Sequence, residues 1–389
     1  MKKAKVFGSS LIASLFLITA CSTPAATTTT AGTTTGSTNA ATTTAIGSTT
    51  PTTGEKPKFV FVVTDQLGDK SFNDSAAAGM KKITSELGYE TKTVEIGRDQ
   101  TKWEPTILDL SEGGEYTAII LNGSGTQEIV ERIAGDFPDQ KYVLFDAAIE
   151  AGKFDNIYAI SYKQNEGSYL GGVVAGLVTK STMKFANADD KIGFIGGDQG
   201  PIISDFLVGY IEGAKSVNPN VKVFVSYVGS WTDTAKAKEL ANAQFSQGVD
   251  IIFPAAMTAG LGVIEAAAEQ NKYIIGVDSD QATLLGETDP KKAEVILTSV
   301  IKEVGQSLFI YADKVGKGEA KYGITDVLGI PEKTTDIIEN EYYLKNVPEE
   351  IRTQVTQART KIVSGEIKVS TALDVEQSVV DEIVNSVKP

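Results

Sequence analysis

The chain has no histidine, one cysteine and no apolar run long enough to cross a bilayer. Each absence removes a class of function. Without histidine there is no imidazole base working near neutral pH, and no imidazole metal ligand. A lone cysteine, Cys21, cannot supply a disulfide framework. A spanning helix needs about 20 mostly apolar residues, which no stretch provides. Basic residues are also in deficit: 36 Lys and Arg face 50 Asp and Glu, a formal charge of −14. So acidic a surface argues against nucleic acid and anionic lipid surfaces as partners.

What is present begins with an export pattern. Lys2, Lys3 and Lys5 precede an apolar stretch, Val6 to Ile18, that ends in Ile18-Thr19-Ala20-Cys21. A basic start, a short apolar stretch and small residues before the cut are the layout of a secretory leader. The four closing residues resemble a bacterial lipobox, which makes 1–20 the expected leader and Cys21 the expected lipidation site. An ordinary leader with an incidental cysteine is the alternative. A thiol used for attachment accounts for a count of one. Residues 21–55 are mostly Thr, Ala, Gly and Ser without periodicity, and are expected to form a flexible tether.

From Lys56 onward, short apolar runs alternate with amphipathic stretches. Strands are expected at Phe59–Thr64, Thr91–Glu95, Ala118–Leu121 and Lys141–Asp146, with helices at Asp74–Leu87, Pro105–Ser111 and Gln127–Gly135 between them. The rhythm restarts after a break near Ser161–Glu166. Strands are expected at Ile192–Ile195, Lys222–Tyr227, Ile251–Phe253 and Tyr273–Val277. Helices fall near Ser204–Ser216, Thr234–Gln247 and Gly260–Gln270. Beyond Val277 the pattern blurs, with helices at Lys302–Val315 and Pro348–Val363. Strands without alternation, separated by helices and short loops, indicate parallel sheets covered on both faces. The expected fold is therefore α/β, with two doubly wound parallel-sheet domains.

Ligands in such sheets sit at strand C-termini, and unusual residues gather there. The loop from Thr64 to Asp74 carries Phe72 and Asn73, an aromatic face beside a donor–acceptor amide, suited to a planar ring with polar edges. Alternatively Asn73 or Asp74 caps the next helix and Phe72 is its hydrophobic staple. Tyr227–Asp233 places Trp231 in the equivalent loop of the second half, where it could clamp a flat ligand opposite Phe72. Against this, Trp231 could pack on its own helix, with Thr232 or Asp233 as the cap. Asp278 ends a strand and could accept two hydrogen bonds from a vicinal diol, or be a turn residue. Asp146 could accept from ring or amino N–H groups, or be a plain turn residue. Lys302, expected to open a helix, where the dipole does not favour a lysine, could donate to a hydroxyl, or be an ordinary solvated lysine. The run Ile192–Pro201 is glycine-rich, but lacks the spacing of a phosphate-binding loop and reads as a turn permitting close packing.

Taken together, these segments resemble the basic-membrane-protein family of substrate-binding lipoproteins, whose best-known members are PnrA-type purine nucleoside receptors. The resemblance runs from about Phe59 to Lys302. Its motifs are Asp69–Asn73, Asn165–Gly172, Ile192–Gly197, Gly209–Ala214, Gly229–Trp231, Ile274–Gln281 and Ser299–Lys302. It implies a type I periplasmic-binding-protein fold: two lobes, a hinge and a cleft between them. The first lobe is expected to comprise 56–161 plus about 286–320, the second 162–285 plus about 321–389. It also implies Phe72 and Trp231 stacking on a base, Asn73 and Asp146 reading the base edge, Asp278 and Lys302 holding ribose, and Gly260 touching the ligand. The family usually has Phe where Trp231 stands. The first loop is shorter than in many members, and Ala255–Gly260 replaces a more Gly-rich loop.

The implied protein is a monomeric binding lipoprotein of an ABC importer. It is lipid-anchored on the extracytoplasmic face of the cell membrane, needs no cofactor, and delivers a purine nucleoside to a permease. Riboflavin or a sugar is the alternative ligand. A carboxylate-pair hydrolase acting on nucleosides or glycosides and a purely structural surface lipoprotein are the rivals from other classes.

Overall fold

The structure, a computed structural model, describes residues 55–373 and 375–389. The expected leader, Cys21 and all but the last residue of the expected tether lie outside the described residues.

Twelve strands follow one another: β1 Lys58–Val63, β2 Glu90–Glu95, β3 Ala118–Asn122, β4 Lys141–Phe145, β5 Ile157–Tyr162, β6 Lys191–Gly196, β7 Lys222–Tyr227, β8 Ile251–Ala255, β9 Tyr273–Asp278, β10 Ile296–Lys302, β11 Ile324–Leu328 and β12 Thr335–Ile337. They form two six-stranded sheets, ordered β11-β5-β4-β3-β1-β2 and β12-β10-β9-β8-β6-β7. Every pairing is parallel except β10 with β12. Continuous apolar runs behave this way because both faces are covered. Along β1, Phe59, Phe61 and Val63 enter one apolar cluster, while Val60 and Val62 enter the cluster on the opposite face. Each fully buried Val or Phe of this kind contributes about 1.5–3 kcal/mol.

Two elements change lobes relative to the sequence expectation. Residues about 286–320 were assigned to the first lobe, yet β10 pairs with β9 in the second sheet. Only the helix Val304–Gly316 returns to the first lobe, where Val304, Leu308 and Tyr311 pack with Phe59 and Tyr158. Residues about 321–389 were assigned to the second lobe, yet β11 pairs with β5 at the edge of the first sheet. The chain therefore crosses between lobes after β5, after β10 and after β11.

Two of the glycine motifs serve packing. The helix Gln164–Thr179, almost wholly buried, lies against the helix Pro201–Val217. A Cβ at Gly172 would sit 2.1 Å from the Tyr210 carbonyl oxygen, and one at Gly213 1.9 Å from that of Tyr169. Neither helix could approach so closely with side chains there.

Both sheets point their strand C-termini at one cleft. β4 stops at Phe145, so Asp146 follows the strand rather than ending it, with φ 60°. Asp278 ends β9 at φ 62°. A left-handed backbone is uncommon outside glycine, and asparagine and aspartate bear it best. Such residues cluster where the backbone is held for a purpose. Lys302 is the last residue of β10, not the first of a helix, and that helix begins at Val304. The strand end aims Lys302 inward.

Candidate ligand-binding site

The cleft encloses a cavity of about 600 Å³, inside the roughly 300–1,000 Å³ range of small-molecule sites. Of the residues singled out from sequence, Phe72, Asn73, Asp146, Trp231, Asp278 and Lys302 all line it. Gly260 does not: it lies within the helix Met257–Gln270, and the residues of this segment that line the cavity are Ala255, Ala256 and Met257.

The first loop folds around Asp69. Its carboxylate accepts from the backbone N–H groups of Ser71, Asn73 and Asp74 at 2.9–3.1 Å, so Asp69 does the capping expected of Asn73 or Asp74. Asp74 instead accepts from Gly68 and Lys70 behind it. Asn73 is thereby left with one long bond, from its side-chain N–H to the Gln66 carbonyl at 3.4 Å. Phe72 does find a core, since its ring centre lies 5.4 Å from that of Phe145. It is buried and still reaches the cavity.

Trp231 is half-buried. Its ring lies against Gly197, where a Cβ would fall 2.3 Å from Cε3. That glycine belongs to the run Ile192–Pro201, read from sequence as a packing turn. It is one, but its continuation, Asp198 to Ile203, also lines the cavity. Asp233 caps the following helix by accepting from Lys236 N–H at 2.9 Å. The capping alternative and cavity lining thus hold together.

The deep end is a cluster of charges drawn from both lobes. Lys302 is 1 % exposed, and its Nζ lies 2.5 Å from an Asp146 oxygen. The same ammonium stands 5.1–5.5 Å from the ring centres of Phe72, Tyr162 and Phe206, within cation–π range. Among the described residues, no other hydrogen bond uses the remaining Lys302 donors or the second Asp146 oxygen. Asp278 accepts from the Ser71 hydroxyl across the cleft. Burial pushes its carboxyl up to about 7, against the pull of Lys302 and the Ser71 hydroxyl, with Asp69 and Asp146 adding to the rise.

The family model described as ABC transporter substrate-binding protein PnrA-like matches residues 56–372. The chain belongs to that family. The PnrA-like chain is 32% identical to the ABC transporter nucleoside-binding protein BmpA of Lactococcus lactis, over 79% of its own length and 88% of that protein's. It is also 32% identical to the CD4+ T-cell-stimulating antigen of Listeria monocytogenes, over 80% and 87% respectively. Among solved structures, an ABC transporter solute-binding protein from Aeropyrum pernix superimposes with a TM-score of 0.75. The identity is 25%, covering 85% of this chain and 98% of that one. The expected fold, two parallel-sheet α/β domains of the periplasmic solute-binding kind, therefore holds.

Several cavity residues of this PnrA-like protein were not singled out from sequence. Trp103 lines the cavity, with its indole N–H donating to the Gly97 carbonyl at 2.8 Å. Arg98 is gripped by both oxygens of Asp65, at 2.6 and 2.7 Å. Phe206 projects from a helix that reads as plain core. For Trp103 and Arg98 the signal was available: they follow the C-terminus of β2, and the rule that ligands sit at strand C-termini covers that loop too.

Proposed function

We propose that this protein is the substrate-binding component of an ABC importer and captures a purine nucleoside between its lobes. The reading rests above all on the convergence of Phe72, Trp231 and Asp278 on one cavity. It is supported by the nucleoside-binding description of the Lactococcus relative. Phe72 and Trp231 offer the base two aromatic faces, each stacking contact being worth about 1–3 kcal/mol. Asp278 accepts from the ribose diol, and Lys302 has donors to spare for the same hydroxyls. Asn73 and the second oxygen of Asp146 take the base edge.

The charges argue for an unphosphorylated ligand. The two cations lining the cavity, Arg98 and Lys302, are already bound to Asp65 and Asp146, while Asp198 and Asp278 remain. A phosphate would meet carboxylates with no cationic charge left over to balance its own.

No enzymatic role is proposed, since the family and the Lactococcus relative are described as binding proteins. The handover partner is a membrane permease. The leader would direct export, and Cys21 would tether the protein, through lipid, to the extracytoplasmic face of the membrane. Cys21→Ser is then expected to move the protein from the membrane fraction into the medium or periplasm. Unchanged membrane retention of that variant would remove the lipid anchor from the account.

The binding test is a titration with inosine, guanosine and adenosine, following tryptophan fluorescence. Both Trp of the chain line the cavity. A Trp103→Phe variant therefore assigns the signal to Trp231. Saturable quenching at micromolar or lower concentration, roughly −8 kcal/mol or better, is the expected result. The 5′-monophosphates should bind at least about tenfold more weakly. Silence towards all nucleosides, with a response to riboflavin or a sugar, would keep the cleft and replace the ligand.

A further inference from the structure

At the mouth of the cleft the two lobes are joined by one side chain with no role in the ligand set above. Arg98 lies just after β2. Gly97, at φ 72°, turns the chain before it and has its carbonyl held by the Trp103 indole. Asp99 caps the short helical turn after it, accepting from the Thr101 N–H and hydroxyl. The guanidinium is fixed as well, because the Asp65 carboxylate, in the loop just after the first strand, holds Nε and Nη2 in a fork. What remains is Nη1, which donates at 2.7 Å to the Thr232 hydroxyl of the other lobe. Thr232 is seated in its own rigid turn: its N–H and that of Asp233 both donate to the Ser230 hydroxyl. It also directly follows Trp231.

We propose that Arg98 is the positioning residue that holds the lobes shut over the bound ligand, through its bond to Thr232. The Asp65 fork lies wholly within the first lobe and survives opening. The Thr232 bond exists only when the lobes meet. Since the fork has already ordered the guanidinium, little side-chain entropy opposes that last bond. Because the Arg98 bond links the lobes and forms once they meet, it governs dissociation in preference to association. The inference rests on the binding reading above, but its readouts separate from it.

The test is a double-mutant cycle on the full chain, with inosine as the probe in stopped flow. Arg98→Ala and Thr232→Val should each speed dissociation about tenfold, with association changed less than about twofold. The double variant should be no faster than either single, because both remove the same bond. Additive effects, or a Thr232→Val variant that dissociates like the unsubstituted protein, would overturn the latch. So would slowed association at unchanged dissociation. If no nucleoside binds the unsubstituted protein, the function falls but the latch is still measurable. Spin labels on cysteines introduced at the exposed positions Lys92 and Glu239, in a full chain carrying Cys21→Ser, report the distance between lobes. Loss of the short-distance population in Arg98→Ala supports the latch, and an unchanged distribution refutes it.

Discussion

Asp278→Ala is expected to weaken nucleoside binding by about 2 kcal/mol or more, roughly thirtyfold, as measured by calorimetry. The carboxylate lines the cavity, accepts from the neutral Ser71 hydroxyl, and has no cation in direct contact among the described residues. A ribose diol donating to it favours the ionised form, so the bound carboxyl titrates below the free one. In the free protein burial has pushed that carboxyl up to about 7. Binding then releases a proton. Affinity should be greatest above about pH 7 and decline by up to tenfold per unit as pH falls through that value. Ligand-free stability runs in the opposite direction. A carboxyl whose folded pKa is raised contributes stability that is full below the unfolded value, about 3.9, and lost as pH rises through about 7. Asp278→Asn keeps the shape and abolishes both trends. A pH-independent affinity in the unsubstituted protein, or undiminished binding by Asp278→Ala, would remove the diol from the account.

These opposed slopes come from one residue whose site was legible in the sequence and whose state was not. A carboxylate at the end of an apolar strand can be read as a cleft residue from topology alone. Its pKa depends on Ser71, Asp69 and Asp146, which lie between 132 and 209 residues away and arrive from the other lobe, and on Lys302 at the end of the neighbouring strand. The same division holds for the fold. Strands such as Phe59–Val63 announce themselves because burial on both faces demands an unbroken apolar run. The helix Gln164–Thr179 leaves no such mark, since a helix buried all round loses the amphipathic period that identifies a surface helix. β10 is blurred by Thr298 and Ser299. Both are buried, and both are tolerated because their hydroxyls are bonded: Thr298 donates to the Ile338 carbonyl and Ser299 accepts from Gln281 N–H. The exchange of β10 and β11 between lobes is a matter of which sheet edge is vacant, and no local pattern encodes it. Lys302 was picked out as unusual for the wrong reason. At a helix start a lysine opposes the dipole, but its actual place, ending a strand inside an aromatic cage, is odder still.

That place makes Lys302 the residue whose loss should cost the fold most. Lys302→Met preserves much of the volume and removes the only cation in the deep cluster. Asp146, whose side chain is 10% exposed, is then buried without its partner, with Asp278 and Asp69 nearby. Breaking a buried pair on one side costs about 3–5 kcal/mol, because a desolvated charge is left uncompensated. The melting temperature should fall by roughly 5–15 °C. Removing the stranded charge as well, in Lys302→Met with Asp146→Leu, should recover most of that loss, since an apolar pair of similar bulk suits the surrounding Phe72, Tyr162 and Phe206 rings. Nucleoside binding should stay impaired in the recovered variant. The pair would then be held in place by what it gives the ligand, two spare ammonium donors and a spare carboxylate oxygen, and not by what it gives the fold. A Lys302→Met protein that melts with the unsubstituted one would mean that Asp146 is neutralised or rehydrated some other way. The same result would withdraw the charge account of the whole cluster. A double variant that regains both stability and affinity would instead assign the pair no part in binding.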